Sequence, residues 1–282
     1  MTDFTTGDDT TAATPTRQPA VFIPHGGGPC FFMDWSPADA WDGLAAHLRA
    51  IPTMLPERPR AIAVISAHWE DDAVAVTSHP TPSLVFDYFG FPAHTYELSY
   101  PAPGDPALAQ RIVDLVGGAG LPARLDGQRG WDHGVFVPLL VMFPDADIPV
   151  VEISLRSGLD PAEHVAIGQA LAPLRDEGVL LIGSGFSYHN LRGMDPSYAE
   201  PSERFDAWLA QAMTSAPDER AEALTHWVDA PAARIAHPRE EHLLPAMVIA
   251  GAAGSDAVVH TYDDHVMGIK VSGFAAGTPA AA

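Results

Sequence analysis

Apolar positions along the chain follow two rhythms. Short continuous runs at 20–24 (AVFIP), 60–68 (RAIAVISAH), 73–78 (AVAVTS), 147–155 (DIPVVEISL) and 179–185 (VLLIGSG) read as buried strands. Between them lie stretches with helix punctuation. Residues 36–51 open with Ser36 and Pro37, and 104–120 close on glycines. Residues 160–178 begin with an Asp cap and a first-turn Pro and end at Gly178. Further helices are expected at about 200–214 and 217–229, with another starting near Pro238, and late strands at 257–262 and 269–274. This alternation predicts an α/β fold: a single layered domain with a central, mostly buried mixed sheet flanked by helices. The domain is expected over 19–275, with disordered tails at 1–18 and 276–282. One segment fits neither rhythm. Residues 79–103, rich in proline and aromatic rings, predict a long ordered loop. It is either a wall or lid over a site or an apolar plug on a sheet edge.

Composition narrows the functional classes. The chain has 282 residues, of which 47% are hydrophobic and 18% charged, an ordinary balance for a globular protein. Its formal charge of −21 argues against nucleic acid or an anionic membrane as partner, since both call for a basic surface. A single cysteine, Cys30, excludes an intrachain disulfide and a Cys-based zinc site. Any metal must therefore be held by His, Asp or Glu. No basic, apolar leader opens the chain and no apolar run approaches the roughly 18 residues of a membrane span, so a cytoplasmic location is expected.

The 13 histidines are informative through their contexts. His25 follows the first strand and precedes Gly26, Gly27 and Gly28. His68 follows the second strand, and His189 comes shortly after VLLIGSG. Ligands of open α/β sheets bind outside the carboxyl ends of strands, so three strand ends marked by histidine point to a site there. The glycines lack phosphate-loop spacing and are expected to let backbone approach a metal or substrate. His133 lies just before an apolar helical run, either facing a site or capping the helix. In 236–254, His237 is a candidate N-cap with Glu240 three places on, and His242 is expected inside the helix. Those two would stand about 140° apart on a helix, too far to share one ion.

The segments PHGGGP, SAHWE, GFPAHTYELSYPAPGDP, GWDHGVFVPL, GSGFSYHNLR and HPREEHLLPAMVIAGAAG, in that order, resemble the class III extradiol ring-cleavage dioxygenases. The likeness is to the LigB-like family in its DOPA-dioxygenase-type branch and covers about residues 20–275. It implies a one-domain α/β fold with one metal ion at the sheet edge. It also implies O₂-dependent cleavage of a catechol beside its two hydroxyls. Residue by residue, it implies metal ligands His25 and His68, an acid–base residue His189 and an auxiliary residue His133. The third ligand implied is His242, where a better-known branch has glutamate; Glu241 is the alternative, expected about 100° away on the helix.

Three neutral imidazoles would leave a divalent ion its full charge, which a doubly deprotonated catechol would neutralise. Imidazole suits both Fe(II) and Zn(II), so iron is expected with zinc as alternative occupant. The rival readings are a zinc hydrolase on the same three histidines, with Glu70 or His189 as base, and a non-catalytic metal-binding protein. The expected small-molecule partners are an aromatic diol, DOPA-, caffeate- or protocatechuate-like, and O₂. Candidate substrate walls are Phe32, Trp69 and Tyr188, then Tyr88, Phe91 and Phe186. Core packing is the commoner role for each of these rings. Arg192 is a candidate cation for a carboxylated substrate. Glu70 is expected behind the metal or in the substrate wall.

Overall fold

The apolar runs form the middle of one eight-stranded sheet in a computed structural model that describes residues 15–277. In chain order the elements begin with β1 (Ala20–Pro24), α1 (Asp42–Ala50), β2 (Ala61–Asp71), β3 (Val74–Thr77), α2 (Pro106–Gly118) and β4 (Ala123–Asp126). They continue with α3 (His133–Met142), β5 (Val150–Arg156), α4 (Pro161–Leu171), α5 (Pro173–Asp176) and β6 (Val179–Gly185). The last are α6 (Ala199–Thr214), α7 (Pro217–Thr225), α8 (Ala233–Ala236), α9 (Leu244–Ala253), β7 (Val258–Val266) and β8 (Ile269–Ala276).

The strand order is β4-β3-β5-β2-β6-β1-β8-β7. The four central strands β5, β2, β6 and β1 are parallel, as long helical crossovers require. β3 meets β5 antiparallel, and the β7–β8 hairpin closes the other side antiparallel to β1, so the sheet is mixed. β1 and β6 bury every residue, which is why both read as unbroken apolar runs.

Several boundaries differ from expectation for physical reasons. Helix 160–178 is split where Pro173 interrupts it, giving α4 and α5. α1 starts at Asp42, because residues 36–41 form turns. The edge strand β4 was not anticipated; its four half-exposed residues carry no apolar run. β2 does not stop at His68 but continues through a register shift to Asp71. The helix expected from Pro238 begins at Leu244, with Pro245 in its first turn. Of the expected tails, 1–14 and 278–282 lie outside the described residues. Within the remainder, Gln18 is buried, the Thr16 backbone N–H donates to Glu57 Oε1 at 2.8 Å, and Ala276 is a buried strand residue. Among the described residues no helix is long and apolar enough to cross a membrane.

α9 lies against β1, β2 and β6, and α4 packs on α9. Glycines bring the two helix backbones together. A Cβ on Gly168 would strike the Val248 carbonyl, and one on Gly251 would strike the Val165 carbonyl. The small residues of the AGAAG segment therefore serve this contact. Gly168→Ala should cost about 1–3 kcal/mol through forced separation of the helices. Denaturant titration checks this, and an unchanged midpoint would contradict the close packing.

Candidate active site and metal centre

Five histidines converge at the carboxyl edge of the parallel strands, and each is placed by a different local device. His25 leaves β1 with its backbone N–H donated to Gly185 O of β6 at 3.0 Å. His68 sits in a bulge of β2. Ile65 faces Ile153 and Glu70 faces Leu155, so β2 advances five residues where β5 advances two. Ser66 braces the bulge, accepting from His68 N at 3.2 Å and donating to Asp132 Oδ1 at 2.8 Å. The same Asp132 oxygen caps α3 by accepting from Gly134 N at 3.0 Å, which fixes His133 as the first helical residue. His189 is tied down by its N–H to Ala236 O at 2.9 Å.

His242 corrects an expectation. It stands in a turn ahead of α9, not within a helix. Its carbonyl accepts from Phe186 N at 3.0 Å, and a Cβ on Gly185 would strike that carbonyl. Without a helix, Glu241 does not point away. Its Oε1 lies 3.0 Å from His242 Nδ1 and 3.3 Å from His189 Nδ1. His237 is likewise no N-cap: it ends α8, fully buried, with Nε2 donating to Ser187 O at 3.0 Å.

All five rings use Nδ1 in the same way. His68 and His133 direct it to Asp87, at 3.5 and 2.7 Å, while His189 and His242 direct it to Glu241. His25 Nδ1 donates to Ser184 Oγ at 3.2 Å, since the serine proton goes to Gly134 O. The Nε2 atoms remain, and those of His25 and His68 face each other at 3.2 Å. The His68 ring lies 3.9 Å from His133, 4.8 Å from His242 and 4.9 Å from His25. His242 is 5.2 Å from His25 and stacks on His189 at 3.3 Å.

Burial, helped by repulsion among the rings, holds His25 and His242 well below the ordinary histidine range and pushes His68 down to about 4. Burial opposes ionisation of Glu241, yet the hydrogen bonds from His189 and His242 outweigh it and keep the carboxyl ionised. The neutral imidazoles of His25, His68 and His242, each with its outer nitrogen held by an acceptor, are a donor set that fits a divalent cation. Two groups of ligand atoms within 4.8 Å of one another meet here: His25, His68 and His133, and His189, Glu241 and His242.

Glu70 lies outside this cluster. Both of its oxygens are taken by Arg239, with Nη2 at 2.6 Å from Oε2.

A cavity of about 390 Å³ opens over the imidazoles. Of the expected wall residues, Tyr88, Phe91 and Phe186 line it, and Phe32, Trp69 and Tyr188 do not. Trp69 neighbours His68 and turns the other way, where Arg129 covers its ring at 4.7 Å. Tyr188 is buried, with its hydroxyl donated to Gly193 O at 3.2 Å. Phe32 belongs to a short turn whose carbonyl is bonded by His94 Nε2 at 3.0 Å. Sequence reasoning passed over Trp35, Trp41, Phe89, Leu191, Met194 and Met267, which complete the wall. It also passed over Asp87 and Ser184. A lone acid inside VFDYFG and a lone hydroxyl inside LLIGSG were the available signals. The loop 79–103 is thus a wall: it contributes Asp87 to the histidines and Tyr88, Phe89 and Phe91 to the cavity.

Comparison with known proteins agrees with this geometry. The family model described as the catalytic LigB subunit of aromatic ring-opening dioxygenase matches residues 19–275. A 4,5-DOPA dioxygenase extradiol of Beta vulgaris is 45% identical over 205 residues, covering 71% of this chain and 76% of the relative. The Escherichia coli K12 protein of the same name is 38% identical over 242 residues, covering 84% of this chain and 86% of the relative. The crystal structure of an uncharacterized Escherichia coli K12 protein superposes with a TM-score of 0.75 at 32% identity, covering 93% of this chain and all of that one.

Two outcomes follow from the site's construction. Gly185→Ala should push the His242 turn away from β6 and weaken binding of added divalent metal at least tenfold, read by metal titration; unchanged affinity would contradict that placement. Metal-free protein should also lose stability in mild acid. His237 is pushed down to about 3 by burial and His68 to about 4. Both bind protons more readily when unfolded, so stability is intact above about pH 6.5 and falls as pH drops toward their folded values, by up to about 1.4 kcal/mol per pH unit for each histidine. Urea midpoints flat from pH 7 to 5 would contradict this.

Proposed function

This chain belongs to the family of the catalytic LigB subunit of aromatic ring-opening dioxygenases, and on that footing we propose that it opens a catechol-type ring with O₂ to a muconic semialdehyde. The observation that carries the reading is the cluster of imidazoles, oriented by Asp87, Glu241 and Ser184, beneath a cavity walled by aromatic rings. DOPA, caffeate and protocatechuate represent the ring class, and DOPA is the substrate in the relatives' names.

In this reading His25, His68 and His242 hold one divalent ion, Fe(II), with Zn(II) as alternative occupant. Bound iron supplies electron transfer between the ring and O₂. The protein's own groups handle binding and protons. His189 takes a proton from a catechol hydroxyl at Nε2, because its Nδ1 faces Glu241, and that carboxylate stabilises the imidazolium that forms. The same proton is then available for return to an oxygen during ring opening. His133, backed in the same manner by Asp87, hydrogen-bonds the substrate or O₂. The surrounding rings exclude water from the reacting end. A zinc hydrolase would use the same three histidines, but Glu70, one of its two candidate bases, is occupied by Arg239.

Protein loaded anaerobically with Fe(II) and given these catechols should, on admission of air, consume O₂ and form a yellow product. Zn(II)-dependent ester hydrolysis without O₂, and no ring opening with iron, would sink the proposal. His189→Ala should retain metal while turnover falls about 10²–10⁴-fold. His242→Ala should lose metal, measured as metal content of the purified protein. Metal loss in His189→Ala instead would reassign that residue as a ligand.

A further inference from the structure

We infer that Arg129 is a positioning residue for His68: its guanidinium fixes the bulged backbone that aims this imidazole at the metal centre. The inference rests on the reading of His68 as a metal ligand and adds a residue that acts through it. The bulge creates the need. Residues 67–69 pair with neither β5 nor β6, so the backbone that carries the imidazole lacks the ladder that holds its neighbours. Side chains meet both polar groups of the His68 backbone instead. Its N–H donates to Ser66 Oγ at 3.2 Å, and its carbonyl accepts from Arg129 Nη2 at 3.4 Å. Asp132 joins the two ties: Oδ1 accepts from Ser66 Oγ at 2.8 Å, and Oδ2 accepts from Arg129 Nη2 at 2.9 Å.

Arg129 is itself firmly placed. Its backbone N–H donates to Asp126 Oδ1 at 2.9 Å, which anchors it to the end of β4. Trp69, the residue after His68, lays its ring against the guanidinium, whose carbon lies 4.7 Å from the ring centre. Arg129 Nε donates to Glu152 Oε1 at 3.5 Å, and Glu152 Oε2 accepts the Asp132 N–H at 3.2 Å. Glu152 is fully buried on β5 opposite Val64, just before the register shifts. Burial beside Asp132 pushes its carboxyl well above the ordinary range, which leaves Asp132 as the charge partner of the guanidinium. The position calls for a planar fork. One nitrogen bridges His68 O and Asp132 while another reaches Glu152, a geometry that a single ammonium does not reproduce. The SAHWE and GQRGWDH segments thus meet in one device. Arg129, Asp132 and Glu152 stand outside the cavity wall, so their effect on a bound diol passes through the imidazoles.

Co(II) is the probe for the test, because its visible absorption reports the arrangement of atoms around it without any turnover. Arg129→Lys keeps the charge and discards the fork. It should bind Co(II) about 10–100-fold more weakly than the parent protein, with an altered visible spectrum. Arg129→Ala should weaken binding by as much. Guanidinium ion, far below denaturing concentration, should then move affinity and spectrum back toward the parent, and methylammonium should not. Ser66→Ala removes the other tie to the same backbone and is the variant least able to disturb folding. Combined with Arg129→Lys, its effect should fall short of the product of the two single effects. Co(II) affinity in Arg129→Lys within about threefold of the parent and with the same spectrum would overturn the inference. So would equal rescue by methylammonium, simple multiplication of the two single effects, or a parent protein that binds no Co(II). The expected Co(II) results in a protein that opens no catechol ring with Fe(II) and air would leave the inference standing and remove the dioxygenase reading.

Discussion

Buried imidazoles in ring contact are tolerable only while they stay neutral, and much of this fold maintains that condition. His25 and His68 bring Nε2 atoms within 3.2 Å of each other, where two protonated rings would repel strongly in a medium of low dielectric. Asp87 and Glu241 pull the other way, since a carboxylate favours the protonated ring. Burial prevails at His25, His68 and His242. The carboxylates then act chiefly as orienters, each engaging two rings through Nδ1. A donor set of this kind favours a cation without contributing charge of its own.

That arrangement requires five separate histidine-bearing segments and the 79–103 loop to meet closely, which accounts for features with no obvious local purpose. The bulge in β2 re-aims His68, and Ser66 inside it ties the bulge to the cap of α3 and hence to His133. Gly185 admits the His242 carbonyl against β6. The 79–103 loop crosses over to deliver Asp87. The Gly168–Gly251 contact between α4 and α9 sets the depth of the helix that follows the His242 turn.

Most of the scaffold was legible because burial on both faces of a parallel sheet is written as unbroken apolar runs, as at β1 and β6. The histidines at strand ends were legible for the related reason that the carboxyl edge of such a sheet collects ligands. The misreadings share one origin, in that long-range partners outrank local signals. Pro238 and Glu240 look like a helix start, yet Glu241 is drawn to two imidazoles and His242 to β6, so the helix waits for Pro245. Trp69 looked like a wall because it adjoins His68, but strand alternation sends it to Arg129. Nothing in the local sequence announces a bulge that depends on pairing with β5.

Glu70 shows what such a site must exclude as well as gather. It lies two residues from His68 and is the nearest carboxylate in sequence, chemically a fit ligand for a divalent ion. Arg239 engages it through both oxygens and joins the bulged end of β2 to the turn carrying His242. The pair is partly exposed, and pairs of that kind contribute only about 0–1 kcal/mol to stability. Its consequence is geometric. With Glu70 held outside and Glu241 and Asp87 each kept one imidazole away, the centre is faced by imidazole nitrogens, and burial keeps the rings of His25, His68 and His242 neutral. A cation held there would keep its full charge beneath a cavity walled largely by aromatic and aliphatic side chains.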